Sequence, residues 1–411
     1  MPGSILFIHQ NFPGQFRHLA PRLQALGHRC EAIAAPQAPG LAEISLHRYG
    51  LPKPPPAEAI HPWARDFHTK CLRADAVARQ AVALQQQGFA PDLVIGHPGW
   101  GELMAIKDVF PAVPVWHQLE FVYQLEGGDY GFDPEFEDQQ WPRRARLRLR
   151  RAPQLQAFHE LDCAVAPTQW QASTAPAEFR DRVQVIHEGI DTTAIKPNPE
   201  ATVMLQRGNH CFQLGDELVT FVARNLEPYR GFHTFMRTLP LLQRLRPHCH
   251  VIVVGGEEVS YGAPPKGGGS WKQQLLKEVG DQLDSSRVHF VGRVPHGVLH
   301  NLFQVSACHV YLTYPFVLSW SMLEAMSCGA LVLGSATPPV EEVLTPGVNG
   351  LLCDFFDAEA LAAQLAEVLE NRGSYQHLRD RARATAVERY DLEQVCLPQQ
   401  LALAESMMKV G

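Results

Sequence analysis

The sequence predicts an α/β chain of two Rossmann-like domains facing across a cleft. Three observations carry this. Short apolar runs alternate with stretches of helical periodicity. A polar segment with two prolines, Gly189 to Pro199, interrupts the alternation. The same alternation then resumes for a second domain's length. Short all-apolar strands between helices imply a parallel sheet covered on both faces. A chain of 411 residues has room for two such units.

The elements follow in order. Ile5 to His9 is the first strand. Phe16, Leu19, Leu23 and Leu26 recur at helical spacing, and Gly27 closes that helix; Pro21 inside it requires a late start or a kink. Strands are expected at Arg29–Ala34, Asp92–Gly96, Val113–His117, Asp162–Ala166 and Val183–His187. The second series is expected at Leu218–Ala223, His250–Val254, Val288–Val291, His309–Thr313, Leu331–Gly334 and Gly350–Cys353. The domains are accordingly 1–190 and 200–390, with a final helix in 391–411 returning to the first. Leu51 to Pro56 reads as a stiff surface connection and Gly262 to Ser270 as a mobile loop.

Composition bounds the function. Hydrophobic residues make up 45% and charged residues 19%, a folded globular balance. A net charge of -7 argues against nucleic acid as the main partner. The nine cysteines include no C-x-x-C pair, so neither a zinc site nor a disulfide framework is expected, and Cys30, Cys249 and Cys308 read as small core residues. The N-terminus lacks a basic n-region, and no apolar stretch approaches a membrane span. A reducing, cytoplasmic setting is expected.

In such sheets ligands bind at the carboxyl ends of strands. The segment Tyr314 to Gly329 reads as a strand end, a tight loop and a helix beginning near Ser319, Trp320 and Ser321. A helix N-terminus suits a phosphate, and Glu324 one turn on suits sugar hydroxyls; an ordinary amphipathic helix with a solvated Glu is the competing reading. Arg224 and Arg230 flank a turn before another helix, where their forks suit a diphosphate. Gly255 and Gly256 end the next strand and allow close backbone approach or a plain turn. In the first domain Gly14 and Gln15, His97 with Glu102, and His117 with Glu120 follow successive strands as polar clusters where a sugar fits. No G-x-G-x-x-G or Walker A pattern occurs, which removes the main support for dehydrogenase and P-loop readings. Arg143 to Arg151 holds six arginines. It reads either as a solvated helix face or as a contact to anionic lipid at the inner membrane face, and the acidic run Asp129 to Asp138 upstream is a candidate partner.

Taken in order, Arg224, Arg230-Gly231, Gly255-Gly256, Glu324-Ala-Met-Ser-Cys-Gly329, Pro339 to Glu342 and Gly347 to Gly350 resemble the retaining glycosyltransferases of the GT-B fold, family 4 (glycosyl transferases group 1). The resemblance covers nearly the whole chain and is strongest from Val222 to Asp354. It implies a cell-envelope or polysaccharide enzyme using a UDP- or GDP-linked sugar and a glycan or lipid-linked acceptor. Arg224 and Arg230 would hold the diphosphate and stabilise the leaving group, helped by amides near Ser319 to Ser321. Glu324 would bind ribose hydroxyls. Gly14 and its loop would touch donor and acceptor, and His97, His117 or Glu120 would contact the transferred sugar. No cofactor or metal is implied, because arginine supplies the positive charge.

Two departures stand out. The family usually carries Lys where this chain has Arg230, which preserves charge. It usually carries a sugar-contacting Glu eight residues before the Glu324 position, where this chain has Phe316. The alternatives are a catalytically degenerate nucleotide-sugar-binding protein, which Phe316 favours, and a GT-B epimerase or phosphorylase. The epimerase lacks the Glu-Ala-Met helix, and no cofactor-anchoring Lys for a phosphorylase is identified.

Overall fold

The computed structural model describes residues 2–53, 55–136, 140–205 and 210–410. The chain divides into two compact units, Met1–Gly189 with Glu393–Gly411, and Ile190–Leu392.

The first unit is a seven-stranded parallel sheet. Its strands are β1 (Ser4–Ile8), β2 (Arg29–Ala34), β3 (Ser45–Arg48), β4 (Leu93–Gly96), β5 (Val115–Gln118), β6 (Cys163–Ala166) and β7 (Val183–Val185), in the order β3-β2-β1-β4-β5-β6-β7. The helices α1 (Leu19–Ala25), α2 (Arg65–Gln86), α3 (Ile106–Val109), α4 (Trp141–His159) and α5 (Gln169–Ser173) connect them. The C-terminal helix Leu397–Val410 belongs to this unit. Ile5, Leu6, Phe7 and Ile8 are wholly buried, as a central parallel strand requires. α1 starts late, so that Pro21 falls in its first turn and removes no helical hydrogen bond.

In the second unit β8 (Thr202–Leu205) and β9 (His210–Gln213) form an antiparallel pair. A six-stranded parallel sheet follows: β10 (Leu218–Asn225), β11 (His250–Gly256), β12 (Val288–Gly292), β13 (Cys308–Tyr311), β14 (Val332–Ser335) and β15 (Leu351–Cys353), in the order β12-β11-β10-β13-β14-β15. Its helices are α6 (Phe232–Leu245), α7 (Trp271–Val279), α8 (His296–Val305), α9 (Trp320–Ser327), α10 (Pro338–Glu341), α11 (Ala358–Glu370) and α12 (Gln376–Tyr390).

In each sheet the unit's first long strand lies in the middle. The chain winds outward on one side, then crosses over and winds outward on the other. Strand order therefore reverses between β1 and β4 and again between β10 and β13, the points where doubly wound sheets open a crevice at their carboxyl ends.

The structure differs from the sequence reading in several places. Residues 190–199 are not a free linker. Ile190 and Ile195 lie in the second unit's core, and Ile190 bridges Asp391. The loop expected to be mobile is anchored where it begins: the buried carboxylate of Glu227 accepts from the amides of Ser260, Tyr261 and Gly262 at 3.0–3.3 Å. Trp271 Nε1 donates to the Ala263 carbonyl at 3.0 Å. The run Arg143 to Arg151 lies in α4 and is not one basic face. Arg146 and Arg148 are exposed, whereas Arg150 lies over the Tyr123 ring at 4.0 Å and Arg144 reaches Glu126 at 3.5 Å. Glu137 and Asp138 of the acidic run lie outside the described residues. Seven cysteines are buried and Cys71 and Cys211 are exposed; burial pushes the Cys249 and Cys308 thiols up to about 12.

Candidate functional site

The second unit's site is assembled from the segments leaving β10 and β13. Arg230 is buried, and its Nη1 donates to Thr313 Oγ1 (2.8 Å), the Val317 carbonyl (3.0 Å) and Tyr311 Oη (3.2 Å). Burial opposes its charge, but Tyr311, Tyr261 and Glu227 around it outweigh that, and its pKa rises. Tyr311 Oη also accepts from the Ser319 amide at 2.8 Å. Ser319 is the N-cap of α9; its Oγ accepts from the Ser321 amide at 3.4 Å and lies 2.9 Å from Ser321 Oγ. One buried cation is thereby wired through a phenol to a helix N-terminus. Both favour an anion placed there.

Arg224 is different. It is exposed, near the end of β10, where the register with β11 shifts between Val222 and Asn225. Such irregularities re-aim a side chain. Its guanidinium has no hydrogen-bond partner among the described residues, so it is free to take one. Gly255 and Gly256 end β11 beside this loop. A Cβ on Gly255 would come to 2.8 Å from the Ala223 carbonyl, and one on Gly256 would run into Asn225, Glu258 and Arg293. These glycines are required first by the packing of the chain on itself.

Phe316 is buried and packs edge-on to Tyr229 (5.5 Å) and tilted to Tyr261 (5.0 Å), with the Arg230 guanidinium 6.0 Å from its ring. Where the family pattern has a carboxylate, this chain has an aromatic wall beside a cation. Trp320 packs partly buried against the core of this unit. Glu324 lies in the next turn of α9, buried, and its carboxylate groups with His296 and His300 of α8, ligand atoms within 4.8 Å of one another.

The first unit's site gathers Gln15, His97, His117 and Glu120. Gly14 backs it: at φ +49 its missing Cβ leaves space that the His9 ring fills. His9 Nδ1 accepts from the Asn11 amide at 3.0 Å, so in the neutral ring Nε2 carries the hydrogen and donates to Gln15 Oε1 at 2.6 Å. Gln15 Nε2 in turn donates to Glu120 Oε1. Burial first, then His97, lowers the His9 pKa to about 4. His97 Nδ1 accepts from the Gly99 amide at 3.0 Å, which leaves Nε2 protonated and 3.2 Å from Glu120 Oε2, off the line of a full hydrogen bond. Desolvation works against the Glu120 charge, but His97, His9 and Gln15 outweigh it and lower its pKa. With a side-chain exposure of 30%, this carboxylate keeps capacity for an outside donor such as a hydroxyl. Trp100 stacks on His97 at 3.9 Å and meets His9 edge-on at 4.9 Å.

His117 is buried, its pKa lowered to about 4 by desolvation. It lines the same small pocket as His97 and Glu120, together with Phe121, Gln154 and Phe158. Glu102 turns away into the core, where burial raises its pKa and Tyr49 Oη donates to it at 2.8 Å. Trp100 is the aromatic of the His97 to Glu102 cluster that the sequence offered for a sugar, whereas sequence reasoning missed His9, Tyr311, Tyr261 and Glu227 as working residues. Their common signal is position: each follows or ends a strand at, or next to, a reversal of strand order.

Comparison with known proteins supplies the family. Residues 26–195 match the Glycosyl transferase family 4 group, and residues 206–385 match Glycosyl transferases group 1. The chain belongs to the family 4 glycosyltransferases. The chain is 24% identical over 239 residues to a D-inositol 3-phosphate glycosyltransferase of Mycolicibacterium smegmatis, covering 56% of this chain and 51% of that protein. It is 24% identical to a GDP-mannose-dependent alpha-(1-6)-phosphatidylinositol monomannoside mannosyltransferase of the same organism, over 55% of this chain and 56% of the other. The matches span between 50% and 64% of the length of the first three curated relatives. Among solved structures it superposes on sucrose-phosphate synthase from Thermosynechococcus elongatus with a TM-score of 0.75 at 18% identity, over 100% of both chains. HepE of Anabaena in complex with UDP-glucose superposes with a TM-score of 0.67 at 19% identity, over 98% of this chain and 99% of that one. These likenesses show the GT-B fold. No helix among the described residues is long and apolar enough to cross a membrane.

Proposed function

We propose that this glycosyltransferase moves a sugar from a UDP- or GDP-linked donor to a hydroxyl of a glycan, lipid-linked or other cell-envelope acceptor, with retention at the anomeric carbon. The observation that carries the reading is the link from Arg230 through Tyr311 to the Ser319 cap of α9, at the strand-order reversal of the second unit. Breaking the sugar–diphosphate bond leaves negative charge on phosphate oxygen and positive charge on the anomeric carbon. A buried guanidinium and helix-terminal amides, held in place before the reaction, stabilise the first. Arg224, exposed and without a partner among the described residues, takes the remaining diphosphate charge. The leaving oxygen accepts the acceptor's hydroxyl proton as the new carbon–oxygen bond forms on the same face, giving nucleoside diphosphate and glycoside without a protein nucleophile. Glu120, His97 and Gln15 hold the transferred sugar or acceptor, and Glu324 reads the ribose. The reading calls for no metal or other cofactor, so transfer should survive EDTA. The names of HepE complexes and of the mannosyltransferase relative support a UDP- or a GDP-sugar respectively.

The test is thermal shift against UDP, GDP, ADP and their sugars in wild type and Arg224→Ala, followed by turnover of the selected donor with the product's anomeric configuration read by NMR. Stabilisation by one nucleotide, lost in the variant, and turnover with retention are expected. Binding without turnover would favour the second reading, a nucleotide-sugar-binding protein, for which Phe316 is the specific support. We place the chain in the cytoplasm, with peripheral contact to anionic membrane through the exposed Arg146, Arg148, Leu149 and Trp141 of α4. At about 1 kcal/mol per basic residue, two arginines bind weakly. Failure of anionic liposomes to retain the protein at low salt would remove that contact.

A further inference from the structure

Three histidines from three separate strands converge at the amino-terminal edge of the second unit's sheet. His250 opens β11, His289 is the second residue of β12, and His210 opens β9. The register explains why they meet. Ile252 pairs with His289, so His250, Ile252 and His289 point to one face of the sheet. The β8–β9 pair covers that face: Val203 and Phe212 join Leu218, Ile252 and Val254 in one core cluster. His210 shares the inner face of β9 with Phe212, two residues on. The alternation sends Cys211, which is exposed, to the other face. The three imidazoles thus stand where this small core opens to solvent, each half-buried.

We propose that His210, His250 and His289 form a binding site for a divalent transition-metal ion of the zinc class, which clips the β8–β9 pair to the parallel sheet. One ligand nitrogen from each residue lies within 4.8 Å of the other two. His250 Nδ1 and His289 Nε2 are 3.0 Å apart. Two imidazole nitrogens on one tetrahedral zinc, with bonds of about 2.0–2.1 Å, stand about 3.3 Å apart. This pair is therefore already near the spacing an ion imposes, and His210 has only to swing inward. Three neutral imidazoles are a borderline-soft donor set that suits zinc, nickel or copper over magnesium or calcium. Aromatic packing alone also brings imidazoles together, as the 4.8 Å and 5.2 Å ring contacts of His210 with His250 and His289 show. A hydrogen bond between His250 and His289 accounts for that pair facing nitrogen to nitrogen, but neither it nor ring packing requires a His210 nitrogen to lie within 4.8 Å of both. The ligands are far apart in sequence, so an ion closes two long loops and stabilises the fold. The site lies at the opposite edge of the sheet from Arg224, Gly255 and Gly256, and its role is structural.

The experiment uses the full chain, stripped with EDTA, desalted, and with exposed thiols alkylated so that Cys71 and Cys211 cannot bind. Zinc is titrated by calorimetry, cobalt by its visible absorption, and melting temperature is recorded with and without zinc. One tight equivalent, a tetrahedral cobalt spectrum and a rise in melting temperature of several degrees are expected. Each should be lost, with affinity down at least tenfold, in His210→Gln, His250→Gln and His289→Gln. If His250→Gln does not fold, His210→Gln on the peripheral strand decides alone. A zinc-dependent rise that persists in His210→Gln, or no tight equivalent in wild type, would overturn the proposal. None of these readouts depends on transferase turnover, so failure here leaves the proposed function untouched.

Discussion

Arg224 and Arg230 leave the same strand end and meet opposite surroundings, which separates their expected effects. Arg224→Ala removes an exposed group with no partner among the described residues. Its melting temperature should match wild type, as surface substitutions stay within about 0.5 kcal/mol. Turnover should fall by about a hundredfold or more, as when one preorganised charge donor is lost. Arg230→Ala strips Tyr311, Thr313 and the Val317 carbonyl of a shared donor and should cost about 2–4 kcal/mol of stability as well as activity. Arg230→Lys should rescue stability only in part, since one ammonium on a flexible stem cannot reproduce the planar fork. Parallel denaturation and turnover measurements check this, and equal loss of stability in the two alanine variants would contradict it. The arginine pair was visible in the sequence because charge, turn and strand end are all local. Their division of labour was not, because Tyr311 and Thr313 are eighty residues downstream and enter only through sheet order. The same holds for His9: its segment was legible, but the weight went to Gly14, whose conformation serves the His9 ring. The three clustered histidines left no sequence signal, since none is spaced like a metal ligand.

At the scale of elements, Glu227 and the segment it holds are the instructive case. A glycine-rich stretch with two prolines reads as mobile. Yet a buried carboxylate two residues past the end of β10 collects three consecutive amides and thereby places Tyr261 over Arg230, 5.3 Å from guanidinium to ring centre. Glu227→Gln keeps the shape but turns one acceptor into a donor facing amide donors. It should cost about 1–3 kcal/mol and loosen the segment. Limited proteolysis should then cut within 260–270 in the variant and not in wild type, and identical digestion patterns would refute the anchoring role. The central strands were legible because each is a short apolar run bounded by polar turns, and all six expected in the second unit are present within a few residues. The strands that were not foreseen are peripheral. β3 reads Ser-Leu-His-Arg, half-exposed with no apolar run, and β8 and β9 are four-residue strands with exposed positions. Their pairing is set by neighbours rather than by their own pattern.

Across the whole molecule, buried neutral histidines make stability depend on pH in a definite direction. Burial lowers His117 to about 4 and His187 to about 3 in the first unit, and His309 to about 3 in the second; His9, lowered to about 4, adds the repulsion of His97 to the same cause. In the unfolded chain each of these rings takes a proton near pH 6.5. The folded chain refuses it until pH 3–4, so as pH falls the unfolded state binds more protons. Stability is full above about pH 6.5 and is lost progressively on the way to pH 4. Between pH 7 and pH 5 each histidine accounts for about 2 kcal/mol of that loss. Glu102 acts in the opposite sense, because its raised pKa lets the folded chain take up a proton as pH falls, but it is one group against four. Urea unfolding at pH 7, 6 and 5 should therefore show midpoints moving steadily to lower urea, in both units, since each contains at least one such ring. His309→Gln should shift all midpoints of the second unit while flattening their dependence on pH, because the variant no longer has that proton to refuse. A midpoint that is constant or rises between pH 7 and pH 5 would mean that these rings are protonated in the folded chain, and with that the neutral tautomer assigned to His9 at the first unit's site would fall too.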